Sequence, residues 1–454
     1  MEQRPYPLEP LFGRILSPFE QFLRRTTAGG IILIGATVLA LVLAAWLGGE
    51  RIEHFWEQSL AISLGRFELA LTLHQWVNDA LMALFFLLVG LELKREMLVG
   101  ELASIRDAAL PVVAAVGGMA VPALFYAAIN RGTPEIVGWG IPTATDIAFA
   151  IGILVLLAWR IPRNLVIFLT ALAIADDLGA VLVIAVFYTA HLDMRALHAA
   201  AALFVLLLVF NRGGVRHPLP YALVGVMLWY IVHLSGVHAT VSGILLAIAI
   251  PARPAFTPPH FEKRIDELQA AFSADRLDAR TPDDSLGSRR MASIAEAMED
   301  AASAVQSPLQ RMEHGLSPWV TFLVIPLFAL ANAGIDLTQV RWSEALSQKV
   351  TLGIVVGLVF GKFVGISLAS WIAVRMGIAR LPEGVQWRHI LGAAWLAGIG
   401  FTMSLFIAQL AFQDAARVEE ARLGILLAST ICAFVGLAWL LIASRHVSLK
   451  ANRG

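Results

Sequence analysis

Charge is scarce in this sequence. Asp, Glu, Lys and Arg make up 15% of the 454 residues, whereas a soluble domain runs near a quarter. Lysine plus arginine and aspartate plus glutamate balance at 34 each, so the chain has no basic excess and no nucleic-acid partner is expected. Cysteine is almost missing: Cys432 is the only one, which excludes an internal disulfide and any cysteine-based metal site. The first 26 residues contain Arg4, Arg14, Arg24 and Arg25 but no early apolar core, so they do not read as a cleavable signal peptide. No strong letter-by-letter repeat is present.

Apolar length is abundant. Hydrophobic residues make up 58% and the mean hydropathy is +0.73. About twelve runs approach the roughly 20 residues that cross a bilayer as a helix. They lie near 27–47, 75–93, 108–129, 137–158, 164–189, 196–211, 218–233, 236–250, 318–336, 350–374, 389–412 and 422–444. Helices satisfy their own backbone groups in lipid, and these runs are too continuous for barrel strands. The expectation is an all-α polytopic membrane protein. Its parts are an N-terminal segment over 1–26, eight spans over 27–250, a long polar loop over 251–317, four spans over 318–445 and a tail over 446–454.

Orientation follows from the basic residues. With the N-terminus in the cytoplasm, 25 of them fall on the cytoplasmic side and eight on the other. Without the long loop the balance is still 17 against eight, so both termini are predicted cytoplasmic. The remaining one is Lys362, inside an apolar run. The loop "PARPAFTPPHFEKRIDELQAAF…" reads as a solvated linker or a regulatory element, and "RRMASIAEAMEDAASAV" within it has the pattern of an amphipathic helix.

Two triplets of helices, about 108–189 and 350–444, each carry an interruption in the middle helix. The first is "GWGIPTATDIAF", with Pro142 after Gly138 and Gly140; the second is "AGIGFTMS", with Gly398 and Gly400. Proline and paired glycines loosen or break a helix. The triplets start from opposite sides, so they are expected to be inverted repeats with two crossed, interrupted helices. That arrangement points to a transporter site near the midplane.

The intramembrane charges are Asp79, Glu92, Asp146, Asp176, Asp177 and Lys362. One carboxylate at a helix centre costs about 2.5–3.5 kcal/mol on insertion scales. The adjacent pair in "FLTALAIADDLGAV" therefore costs more than ten leucines return, and such residues mark ion or proton pathways. Successive residues point about 100° apart on a helix, so Asp176 can face a partner while Asp177 faces a cavity. A carboxylate there holds either a proton or a small cation, which is the minimal chemistry of an antiporter. The plainer alternative is a pair that only bonds neighbouring helices. Asp146 follows the first interruption, where it can offset the positive helix ends or simply N-cap the second fragment. Snorkelling to an interface is the plain alternative for Lys362, against its central position in the run; otherwise it can offset the negative ends or pair with Asp176, and Thr145 is a suitable hard ligand for an alkali cation. Glu92, Arg95 and Glu96 in "LVGLELKREM" share one helix face, and "RMEHGLSPWV" supplies Glu313 and His314 before another cytoplasmic entry. These are candidates for a pH response, or solvated helix-end charges. His238 in "SGVHATVSG" is either a further candidate or a satisfied interior histidine.

The motifs "NDALMALFFLLVGLELKRE", "GWGIPTATDIAFAIGIL", "FLTALAIADDLGAV", "SGVHATVSGILL", "PLFALANAGI", "GKFVGISLASW" and "GIGFTMSLFIAQLAF" resemble, in order over about 75–440, the NhaA sodium/proton antiporters of bacteria. Inverted repeats are a property of that family, so the repeat argument above is not independent of it. The resemblance implies a twelve-helix, electrogenic, pH-regulated antiporter of the inner membrane. It would export Na+ or Li+ in exchange for protons and serve pH homeostasis, with no cofactor. By the same resemblance Asp176 and Asp177 bind the ion, Thr145 adjoins them, Asp146 and Lys362 compensate helix dipoles, and Glu92, Arg95, Glu96, Glu313 and His314 form the pH-response region. Asp79 and His238 also fall on family positions. An extracellular hairpin that makes a homodimer contact is implied within about 48–74, where "ERIEHFWEQ" does not itself show strands. The chain departs from the family in its longer 251–317 loop and in Ser317, which stands where a second histidine is usual.

Such a protein makes no chemical bond and is not an enzyme. Two rivals remain. A sodium-coupled symporter of an organic anion would need cationic or polar side chains beyond Lys362. An intramembrane aspartyl protease would need its aspartates on separate helices, in YD and GxGD contexts that "IADDLG" lacks.

Overall fold

The computed structural model describes residues 28–451 apart from 65–66, 101, 190–191, 255, 279–284 and 339. The N-terminal segment over 1–26 and the end of the tail lie outside the described residues. Helix α1 (Ala28–Leu47) is followed by a short amphipathic helix α2 (Gly49–Trp56). Strands β1 (Ser59–Leu64) and β2 (Phe67–Thr72) then form an antiparallel hairpin, with Ser59 opposite Thr72 and Leu64 opposite Phe67. The expected hairpin region thus contains strands that the sequence pattern did not reveal.

The remaining elements are helical. They are α3 (Leu73–Val99), α4 (Ile105–Ile129), the 3₁₀ segment α5 (Pro134–Thr143), α6 (Ile147–Leu156), α7 (Arg163–Phe187), α8 (Met194–Arg212), α9 (Pro218–Leu234) and α10 (Val241–Ala249). After these come α11 (Pro258–Asp278), α12 (Ser285–Val305), α13 (Pro308–Asn332), α14 (Lys349–Arg375), α15 (Trp387–Leu396), α16 (Phe401–Ala411) and α17 (Ala415–Ala451), with a single helical turn, Trp342–Ala345, between α13 and α14. Among the described residues nine helices are long and apolar enough to cross a membrane, and α15 with α16, bent by 47° at its break, makes a tenth. Two of the expected spans are shorter than a full crossing: α9, and α10, which starts only at Val241 because 235–240 is irregular. The span expected at 318–336 begins earlier, at Pro308, where Ser307 and Gln310 form a capping box.

The polar loop contains two helices, α11 and α12, which pack on each other; Phe256 N donates to Ala304 O at 3.1 Å where the pair closes. Elsewhere the buried apolar residues form two cores. The larger surrounds the interrupted helices, and the smaller joins α3, α8, α9, α10 and the start of α13. Within the larger, α4 packs closely along α14. Glycine is required at their crossing: a Cβ on Gly117 would collide with the Gly365 carbonyl, and one on Gly365 with that of Gly117. A π-helical turn at Gly357–Gly361 ends at Lys362, and a second, Trp76–Leu81, contains Asp79. Such turns often occur at functional sites.

Candidate ion-exchange site

Helix α7 is long, apolar and continuous. Its interior faces bury both carboxylates completely: Asp176 and Asp177 are each 0% exposed, as is Lys362 on α14. Lys362 Nζ donates to Asp176 Oδ2 in a direct ion pair and to Thr145 Oγ1 at 3.0 Å. Of the expectations for Lys362, pairing with Asp176 is therefore the contact formed. Thr145 Oγ1 in turn donates to Ala397 O at 2.8 Å, beyond the end of α15. One lone pair of that hydroxyl stays free after these two bonds.

Asp177 differs from its neighbour. Both of its carboxylate oxygens are buried and neither has a hydrogen-bond partner among the described residues; Oδ1 of Asp176 is in the same condition. Asp176, Asp146, Lys362 and Glu92 lie within its Coulombic range. Two adjacent acids on one helix thus hold one saturating cation and three unpaired acceptor atoms. Unpaired buried acceptors are costly, which makes them a place for a proton or a small cation.

The two helix breaks meet beside this pair. Asp146 N-caps its own fragment, its Oδ1 accepting from Phe149 N at 3.0 Å. Its Oδ2 accepts from Thr402 N at 3.0 Å and Thr402 Oγ1 at 2.6 Å, at the start of α16. Asp146 thus accepts from the starts of both fragments. Two more bonds cross between the breaks: Asp146 N donates to Ile399 O at 2.7 Å, and the Ser404 hydroxyl to Ile141 O at 2.7 Å. Tyr188, at the end of α7, donates to Val137 O at 2.7 Å and accepts from Gly140 N at 3.2 Å, holding the 3₁₀ segment to the helix that carries the aspartates. Sequence reasoning assigned nothing to Thr402, Ser404 or Tyr188. The first two stand inside the quoted "GIGFTMS" motif, which was the available signal.

The other candidates lie elsewhere. Arg95 bridges Glu96 at 3.0 Å and Glu313 at 3.1 Å, which joins α3 to α13. Glu92 is within Coulombic range of all three, and His314 is exposed beside Glu313. Lys94, next in sequence, donates to Ile248 O at 2.7 Å and also to Ile250 O, closing the end of α10. His238 is not part of this cluster. It sits near Asp79, about 20 Å from Glu92 along α3. There His238 Nε2 is 3.5 Å and His233 Nδ1 3.6 Å from the Asp79 carboxylate, and His238 Nδ1 meets Thr240 Oγ1 at 2.8 Å. His233 was not singled out from the sequence.

Residues 20–440 match the family model described as "Na+/H+ antiporter 1". The chain is 61% identical over 435 residues to a Na(+)/H(+) antiporter NhaA of Syntrophobacter fumaroxidans, covering 96% of this chain and 92% of that protein. It is 59% identical over 437 residues to the NhaA of Acidithiobacillus ferrooxidans, covering 95% and 98%. The NhaA of Helicobacter pylori is 43% identical over 433 residues, covering 95% and 97%. With matches of this length, a polytopic helical fold and two broken helices in contact, the chain belongs to the NhaA family of Na+/H+ antiporters.

Proposed function

We propose that this protein is an electrogenic, pH-regulated Na+(Li+)/H+ antiporter of the bacterial inner membrane, with both termini cytoplasmic. It exports sodium in exchange for protons by alternating access at Asp176 and Asp177. The observation that carries the reading is the asymmetry of the pair: Asp176 is engaged by Lys362, while Asp177 is fully buried with no partner for either oxygen among the described residues. A buried, unpaired carboxylate needs a counter-charge. A proton or a sodium ion can each supply it, and each excludes the other. Sodium that enters from the cytoplasm and draws on both carboxylates also competes with the Lys362 ammonium for Asp176. Release outside is followed by reprotonation and return, with more protons than sodium ions moved per cycle.

The hydroxyl of Thr145 completes the oxygen set. Asp146, Lys362 and Thr145 hold the broken helices in place so that their ends do not repel one another. The cluster of Glu92, Arg95, Glu96, Glu313 and His314 sets the pH response, and His238 contributes from the opposite end of α3. An organic-anion symporter is less well supported, because the cation at the site, Lys362, is already committed to Asp176 and Thr145.

The experiment is Na+-induced collapse of a preformed ΔpH in everted vesicles, scanned from about pH 6 to 9. Dequenching with Na+ or Li+ is expected, and Asp177→Asn is expected to abolish it while leaving the protein folded. Retained exchange in Asp177→Asn at any pH would remove Asp177 from the site. No response of the folded wild-type protein would remove the function.

A further inference from the structure

At three helix starts among the described residues the side chain of the fourth residue accepts from the capping residue's backbone N–H. At Thr72–Gln75 and Ser307–Gln310 the fourth residue is glutamine, whose side-chain oxygen accepts from the capping residue's backbone N–H at 2.9 and 3.1 Å. The third box, Gln386–His389, opens α15, and there the acceptor is an imidazole: Gln386 N donates to His389 Nδ1 at 3.1 Å. Glutamine has no proton to gain near neutral pH. Histidine does.

The geometry specifies which ring nitrogen is which. Nδ1 accepts, so the neutral ring carries its hydrogen on Nε2. That atom is buried without a partner, and the whole residue is 2% exposed. A second proton must go to Nδ1, the atom that holds the cap. Protonation would remove the acceptor, leave both ring N–H groups unpaired, and place a positive charge in the first turn of a helix, at the positive end of its dipole. Helices α7, α14 and α17 pack against α15. Among the described residues the charged group that bears on the ring is Arg388 of its own helix, and it opposes a second cation.

Helix α15 also reaches the site. Its ten residues span about 15 Å. Just past its far end, Ala397 O takes the bond from Thr145 Oγ1, which in turn receives Lys362 Nζ. We propose that His389 is a positioning residue whose protonation releases the N-cap of α15, so that acid loosens the half-helix that ends at the exchange site. The consequence for transport rests on the antiport reading above; the switch itself rests on the cap.

Hydrogen exchange of the purified full chain in detergent, read by mass spectrometry over the first turn of α15, tests the switch. Comparing His389→Gln and His389→Ala with wild type at each pH cancels the intrinsic pH dependence of amide exchange. Glutamine restores the acceptor used in the other two boxes and does not titrate. At about pH 8.5 wild type and His389→Gln should exchange alike; at about pH 5, low enough to protonate a ring whose surroundings oppose the charge, the wild type should be about fivefold faster, the equilibrium equivalent of one lost cap. His389→Ala should be faster at both. Equal exchange of wild type and His389→Gln at the lower pH, or of wild type and His389→Ala at the higher, would overturn the proposal. In vesicles, the acid limb of sodium-driven exchange should lie at higher pH in wild type than in His389→Gln, and coincident limbs would overturn the link to transport. If wild type transports no sodium at any pH, the antiport reading falls, while amide exchange still decides whether His389 is a switch.

Discussion

The two interrupted helices solve the same problem with different residues. Each leaves free amides at one fragment's start and free carbonyls at the other's end, and a bilayer offers no water to satisfy them. The first break contains an acid, Asp146, and the second, Gly398–Gly400, contains no ionisable residue. Yet both fragment starts are capped, because Asp146 divides its two oxygens between Phe149 on its own chain segment and Thr402 on the other. The second break gives carbonyls in return: Ile399 O to Asp146 N, and Ala397 O to Thr145 Oγ1. The breaks are therefore one polar unit with the charge placed on a single side. The uncharged break is free to carry small residues, and Gly400 packs against the Ala144 carbonyl and Leu358.

This comparison can be broken most severely at its shared acid. Asp146→Ala removes the acceptor for two amides and a hydroxyl in a site that is 2% exposed. Each orphaned buried donor costs about 1–3 kcal/mol, so a loss of about 3 kcal/mol or more is expected, with exchange abolished. The check is a detergent thermal melt beside vesicle transport. An unchanged melting midpoint would mean that the breaks do not depend on Asp146. Thr402→Val is a narrower cut. It removes the short hydroxyl bond to Asp146 Oδ2 but leaves the Thr402 amide donating to the same oxygen. About 2 kcal/mol is expected, in the range for a hydrogen bond to a charged group. In the Asp146→Ala background the same change should cost much less, since the two side chains act as a pair. Full additivity would sink the idea of a shared cap.

The breaks were legible because their cause is local: Pro142 and the glycine pairs act on their own backbone. The apolar runs were legible for the same reason, and the nine long spans follow them closely. What escaped depends on contacts far apart in sequence. Nothing near Lys362 says that it meets Asp176 rather than a row of carbonyls, since the pairing requires α14 to cross α4 at Gly117 and Gly365 and place the Lys362 side chain within reach of α7. Thr402 looked like one more small residue in a glycine-rich motif until Asp146 was placed opposite it. The strands at Ser59–Leu64 and Phe67–Thr72 were hidden because "SLAISL" and "FELALT" are short and apolar enough to pass for the margins of spans. The helices of the polar loop were read only in part, from the pattern of α12; α11 has a polar, weakly patterned sequence, and its packing partner is α12 rather than the membrane bundle.

The mildest test concerns the reverse direction of the exchange, where the uncharged break supports the charged one. Ser404 Oγ, in the first turn of α16, donates to Ile141 O near the end of the 3₁₀ segment at 2.7 Å. Both residues are fully buried. Ser404→Ala leaves that carbonyl without its side-chain donor and adds no charge or bulk, so about 1 kcal/mol is expected, the ordinary worth of one neutral hydrogen bond. Neither Asp146 nor the Lys362–Asp176 pair uses Ser404, so sodium-driven exchange should persist with a melting midpoint only slightly lowered. A loss as large as that of Thr402→Val would put the organising bond on the carbonyl side. No loss at all would mean that the carbonyl end of the 3₁₀ segment is held by the Tyr188 contacts alone, and adding Tyr188→Phe to Ser404→Ala would then expose the missing energy.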